Sequence, residues 1–182
     1  LWISATDYNA ARLASQSTTG FGGERSAAFF ASHGLTDPEA LAKVRARSNY
    51  YAGMVPNVPE SYRRLLDGMS VNIGGRAWRC IAGYGHAPEH IALHCDELKL
   101  LISGDMVLPR ISTNVSVWPI DPEGDPLGQF LQSIRRYLEL APATLVLPSH
   151  GLPFRGAQLR VEQLERHHAE RLAELMEACA EA

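Results

Sequence analysis

Up to about residue 68 the apolar positions of this chain recur three or four apart, as on helices that hide one face. From Met69 onward they alternate or form short continuous runs, as in strands. LWIS at the start reads as a strand, and Thr6 or Asp7 is expected to cap a short helix through Leu13. SQSTTGFGG, residues 15–23, reads as a loop, and Glu24 to His33 as a helix ended by Gly34 just past its last turn. Asp37 caps a helix that begins with Pro38 and is expected to run to about Tyr51. NVPESYRRLLDG reads as another short helix, closed by Gly68.

The second part reads differently. MSVNIGGRAWRCIAGY predicts two strands across a Gly74–Gly75 turn, because consecutive glycines allow the positive φ angles such turns need. HIALHCDELKLLISGD predicts a second hairpin, turning at Asp96–Glu97. A long loop rich in proline and polar residues follows, from Leu108 to Pro126. Asp125 and Pro126 then open a helix with Leu127, Phe130, Leu131, Ile134 and Leu138 on one face, stopping at Ala141–Pro142. TLVLPSHG is a buried strand running into a loop, and a helix from about Gln158 carries a stripe from Val161 and Leu164 through His168 to Leu172, Leu175 and Cys179. Strands, then a helix, then a strand ending in polar residues predict an α/β layered architecture.

At 182 residues, 46% hydrophobic and 20% charged, the chain is long enough to bury a substantial core. A net charge of -3 argues against a nucleic-acid or anionic-membrane surface. Three scattered cysteines, Cys80, Cys95 and Cys179, make no disulfide framework and point to a reducing cytoplasm. No apolar run approaches the roughly 18–20 residues of a membrane helix, and no signal-peptide pattern is present. The chain opens at Leu1 in mid-strand and closes within a helix, so further residues are expected upstream.

Candidate chemistry starts at GYGHAPEHIALHC, which places His86, His90 and His94 four apart, as on one helical face. Gly83, Gly85 and Pro88 oppose a helix, and Ile91, Leu93 and Cys95 alternate with Ala92 and His94 at a strand period. A loop ending at His90 and then a strand, with His94 facing solvent, is the better reading. The three histidines then form no single ligand set. Instead, three ligand-type residues each follow a strand: His86 after WRCIAGYG, Asp105 after LKLLISG and His150 after TLVLPS. Groups at the carboxyl ends of neighbouring strands converge on one crevice, and two imidazoles with a carboxylate suit zinc or iron. Three unrelated strand-end polar residues would show the same pattern.

GYGHAPEHIAL, LLISGDMVLP and LVLPSHGLPF, in that order, resemble the third, fourth and fifth metal-binding motifs of the metallo-β-lactamase superfamily. The resemblance covers residues 55 to 170 or so, and is closest to the hydrolase branch of lactonases, glyoxalase II-like thioesterases and β-lactamase-like ribonucleases. It implies an αβ/βα sandwich with a two-metal site at the sheet edge, incomplete here at the N-terminus. By this resemblance His86 binds the first metal, Asp105 bridges both and is the catalytic carboxylate, and His150 binds the second. Zinc is the implied cofactor, two ions with a full ligand set, with iron or manganese as alternatives. The family's His-x-His-x-Asp-His motif is missing from the sequence, and the resemblance places it just upstream of Leu1.

Residues 1–157 are then the later part of such a domain, with a helical lid region at about 24–67, and 158–182 a C-terminal amphipathic helix. The implied reaction is metal-dependent hydrolysis of a small ester, lactone or thioester, less readily of a phosphodiester. An iron-dependent oxidoreductase of the sulfur dioxygenase type, or a non-catalytic truncated relative, are the alternatives. Around the site, His90 either orients the loop around His86, reaches substrate, or is a structural histidine, and Arg110 either meets an anionic substrate group or is a surface arginine. Tyr50, Tyr51 and Met54 are lid residues or ordinary packing. Cys80 and Cys95 read as small buried hydrophobes, and Arg63–Arg64 and Arg135–Arg136 as solvated helix faces. His167 and His168 point apart on a helix, with His168 in the core or an interface. A homodimer through the C-terminal stripe is the one protein partner suggested; no nucleic acid and no membrane are expected.

Overall fold

The computed structural model describes residues 1–16, 23–48 and 50–180, so the loop expected at 15–23 falls mostly outside the described residues. The chain divides into two compact units, Leu1–Leu65 with Ser116–Pro126, and Leu66–Val115 with Leu127–Ala182.

The first unit contains β1 (Trp2–Ile3), α1 (Ala5–Gln16), α2 (Gly23–Ser32), α3 (Pro38–Ala46), α4 (Tyr50–Met54) and β2 (Arg63–Arg64). The α1 cap is Ser4 rather than Thr6 or Asp7: its hydroxyl, fully buried, accepts from the Asp7 N–H at 3.2 Å. Asp37 caps α3 as expected, accepting from the Glu39 N–H at 3.1 Å with Pro38 behind it. That helix ends at Ala46 instead of reaching Tyr51. Arg47 closes it with a tight N–H bond to the Val44 carbonyl, and the Ser48 hydroxyl donates to the Arg45 carbonyl, so helix-end acceptors are already taken.

The helix expected over residues 57–68 does not form. Pro56 and Pro59 lack N–H donors and push their predecessors out of the helical region. The freed carbonyls are used elsewhere: Arg12 donates to Val58 at 3.1 Å, and the Tyr8 hydroxyl to Pro59 at 2.7 Å. The segment becomes β2, paired parallel to β1 with Trp2 opposite Arg63. Arg63 is therefore no helix-face residue; its guanidinium lies 4.3 Å from the centre of the Trp2 ring.

The second unit holds a six-stranded sheet in the order β3 (Ser70–Ile73), β4 (Arg76–Gly83), β5 (His90–Cys95), β6 (Leu100–Gly104), β7 (Leu145–Pro148), β8 (Phe154–Arg155). Neighbours are antiparallel except β6 and β7, which run parallel. Gly74 and Gly75 make the expected turn with φ of 60° and 80°. With α5 (Pro126–Arg135), a 3-10 turn at Arg136–Glu139 and α6 (Ala157–Ala180), the sheet encloses Leu101, Val146, Phe130, Ile134, Tyr137 and Val161, all fully buried. Each such side chain contributes roughly 1.5–3 kcal/mol by leaving water.

Of the two arginines expected on a solvated face, Arg135 is exposed as expected, and Arg136 is tied down. Arg135 pairs with Glu165, and Arg136 bridges the Asp67 carboxylate, at 2.8 and 3.0 Å, and the Ala82 carbonyl, at 2.9 Å. Burial works against the Asp67 charge, but Arg136 and the Ala82 N–H outweigh it and hold that carboxyl below its ordinary range. The apolar stripe of α6 outruns its packing: Val161 and Leu164 are buried, while Leu172, Leu175 and Met176 are 45%, 59% and 70% exposed.

Candidate metal centre

The strand directions decide which residues meet. β4, β6 and β7 all end at one edge of the sheet, and β5 begins there, Gly83 lying opposite His90. His86 follows β4, Asp105 follows β6, and His150 follows β7. The Ser149 N–H donates to the Gly104 carbonyl at 3.1 Å, tying the two parallel strand ends together. The three residues that the sequence places at strand ends are neighbours in space.

Nε2 of His86 lies 3.4 Å from Oδ2 of Asp105, and Nε2 of His150 lies 3.4 Å from Oδ1 of the same carboxylate. Asp105 thus offers one oxygen to each imidazole. The ring of His86 is oriented by its other nitrogen, Nδ1, which is 2.8 Å from the Asn114 carbonyl. A carbonyl only accepts, so in the neutral ring this contact assigns the proton to Nδ1 and leaves Nε2 as the nitrogen free to coordinate. In that form the nitrogen and the carboxylate oxygen are two acceptors facing each other, as two ligands of one cation would be. Both spacings exceed the roughly 2.7–2.9 Å of a charge-assisted hydrogen bond. They fit two ligands of one tetrahedral ion, which at about 2.1 Å from the metal stand about 3.4 Å apart.

Two hydroxyls steady the carboxylate residue. Ser149 Oγ donates to Asp105 Oδ1, and Thr113 Oγ1 donates to the Asp105 backbone carbonyl, each at 2.5 Å. Among the described residues no three ligand-type side chains converge as a ready-made cluster. What is present is two histidine–carboxylate pairs sharing Asp105. Structural zinc takes four protein ligands and catalytic zinc three.

His90 stands against this centre without joining it. Its ring packs on Gly104, where a Cβ would come within 2.2 Å of Nε2, and its Nδ1 is buried without a hydrogen-bond partner. Burial holds the ring neutral, His86 pushes the same way, and Asp105 opposes them. His94 does not face solvent as its alternation suggested. It is only 7% exposed, because it lies opposite Leu101 and on the same face as Ala92, the face of the sheet that looks onto the core.

The remaining predictions divide. Arg110 and Tyr50 are exposed and Tyr51 half-buried, with Tyr50 and Tyr51 on α4 of the first unit. Cys80 and Cys95 are fully buried, as expected of small hydrophobes. His168 sits edge-on to Phe130, ring centres 6.0 Å apart. Ser149, Thr113 and Asn114 were missed. Ser149 adjoins a predicted ligand, but a hydroxyl on a backbone carbonyl and a carbonyl on an imidazole leave no motif in a sequence.

Residues 8–150 match the metallo-beta-lactamase superfamily. The chain belongs to that superfamily. Its members are mostly metal-dependent hydrolases, and its α/β fold is the one expected. A beta-lactamase domain protein from Burkholderia ambifaria is 52% identical, with a TM-score of 0.89 over all of this chain and 49% of that one. The metallo-beta-lactamase family protein TTHA1429 from Thermus thermophilus is 32% identical, with a TM-score of 0.65 over 84% of this chain and 47% of that one. The probable metallo-hydrolase YqjP of Bacillus subtilis is 31% identical over 124 residues, 64% of this chain and 36% of YqjP. An atrochrysone carboxyl ACP thioesterase of Aspergillus fumigatus is 25% identical over 103 residues, 57% of this chain and 30% of that enzyme. This superfamily chain spans about half the length of the two matched structures and about a third of these two curated relatives. Among the described residues no helix is long and apolar enough to cross a membrane.

Proposed function

We propose that this chain carries one side of a binuclear metal centre that hydrolyses a small ester, lactone or thioester. The observation that carries the reading is Asp105 presenting its two oxygens to two imidazole nitrogens at equal 3.4 Å separations. His86 Nε2 and one Asp105 oxygen would hold the first ion, His150 Nε2 and the other oxygen the second. Zinc suits this nitrogen and oxygen set. Bound there, two divalent cations supply Lewis acidity and a water whose pKa falls toward neutrality. The chain's own work is positional. Asn114 keeps the His86 proton on Nδ1, Ser149 fixes one Asp105 oxygen, and Thr113 anchors the Asp105 backbone. YqjP supports hydrolysis, and the thioesterase among the relatives supports the thioester as the first substrate class to try. The remaining ligands of each ion belong to residues outside this set or to water.

The test is equilibrium dialysis against zinc with metal counted per chain, followed by thiol release from acyl thioesters. About two zinc ions per chain, lost together in Asp105→Asn, with thioester cleavage that follows the metal, would establish the reading. One tightly held iron, or no metal at all, would overturn it.

A further inference from the structure

Arg160 lies on α6, yet it holds the segment that follows Asp105. Its Nε donates to the Leu108 carbonyl at 2.7 Å, and one terminal nitrogen donates to the Arg110 and Ile111 carbonyls at 3.0 Å each. Three loop carbonyls turned onto one cation is not what packing dictates here, since the Ile111 side chain is 60% exposed. The planar fork of a guanidinium holds several carbonyls in one fixed geometry, which a flexible ammonium with three donors does less well. Immediately beyond the clasp the same segment touches the metal centre twice, through Thr113 on the Asp105 carbonyl and Asn114 on His86 Nδ1. Asn114 is three positions beyond Ile111, a reach of at most about 10 Å, so fixing one restricts the other.

We propose that Arg160 is a positioning residue: by clasping the Leu108–Ile111 carbonyls it holds the Asn114 carbonyl on His86 and thereby keeps His86 Nε2 bare toward Asp105. The clasp stands independently of the metal; its bearing on function rests on the reading above. The Arg160 side chain touches neither substrate nor ion and acts through the loop alone.

The experiment compares Arg160→Met, which keeps the apolar stem and removes the donors, with Arg160→Lys and with Val161→Ala. Val161 is the next residue of α6 and is fully buried, so its truncation weakens the fold without touching the clasp. The readout is the His86 tautomer by long-range nitrogen–proton correlation at pH 8, its signals identified by their loss in His86→Gln, together with zinc affinity by chelator competition. The wild type and Val161→Ala should show one Nδ1–H form. Arg160→Met should show a mixture of tautomers and bind zinc about tenfold more weakly, the usual scale for losing an outer-shell support. Arg160→Lys should fall between, and it decides the matter if Arg160→Met does not fold. An unchanged Nδ1–H form in the Arg160 variants overturns the proposal, as does an equal shift in Val161→Ala. If the wild type takes up no zinc while the tautomer still shifts in the Arg160 variants, the clasp stands and the metal reading falls.

Discussion

Gly104 and His90 share a space that admits only one side chain: a Cβ on Gly104 would lie 2.2 Å from His90 Nε2. Gly104 also sits at φ 54°, a region that side chains disfavour. The residue before Asp105 is therefore bare because the imidazole from the neighbouring strand covers it. Gly104→Ala is expected to cost roughly 2–5 kcal/mol, combining backbone strain with overpacking. Urea denaturation checks this. His90→Ala in the same chain should recover part of the loss, and strict additivity of the two changes would exclude the clash as its cause.

Ser149→Ala should separate metal binding from stability. The side chain is exposed, so the fold should lose less than about 0.5 kcal/mol. Its hydroxyl fixes one Asp105 oxygen, and removing it is expected to weaken zinc binding about tenfold. Chelator competition and a thermal melt on the same sample read both quantities.

Asp67 is held below its ordinary pKa, so the folded state prefers its charged form. Its contribution is complete above the unfolded value of about 3.8 and is lost as pH falls below it. Asp67→Asn should lower stability at neutral pH, by about 1–3 kcal/mol for the weakened partners, and flatten the loss below pH 4. Denaturant titrations at pH 7 and pH 3.5 give the comparison, and an unchanged slope would remove Asp67 from the account.

His94 titrates on the other side of its reference value. Burial is the main reason its pKa is lowered, with Arg79 adding to it. The unfolded chain then binds the proton more readily, so stability is full above about 6.5 and declines on acidification through that value. His94→Gln should reduce the decline between pH 7 and pH 5, leaving the shares of His90 and His168, which burial shifts the same way. Equal declines in wild type and variant would show that His94 is not the group responsible.

Local signals carried most of the second unit and one helix start of the first. The Gly74–Gly75 turn, the Asp37–Pro38 helix start and the alternation after His90 each write their conformation into adjacent residues, and all appear in the structure. The three strand-end groups were legible because strand direction alone brings them together. What was lost depended on distant partners. The stretch at 57–68 has helical spacing, but its prolines free carbonyls that Tyr8 and Arg12 collect. His94 looked exposed because alternation reports a face and cannot say whether another layer covers it. Two-residue strands such as β8 have no periodicity to read, and the loop carbonyls gathered by Arg160 have no side-chain identity at all.

The single parallel pairing has a consequence for the order in which the molecule is made. β3 to β6 form an uninterrupted antiparallel meander, each strand joined to the next by six residues or fewer. β7 can reach β6 only after the whole segment from Asp105 to Thr144 has been folded back, and distant contacts of this kind close slowly. Amide hydrogens of β7 should therefore exchange faster than those at the β4–β5 pairing, where hydrogen exchange would show the slowest core. His86 and Asp105 belong to the meander, and His150 hangs on the late strand. A chain caught before that last docking holds half of the centre, so ion uptake through His150 would register completion of the fold.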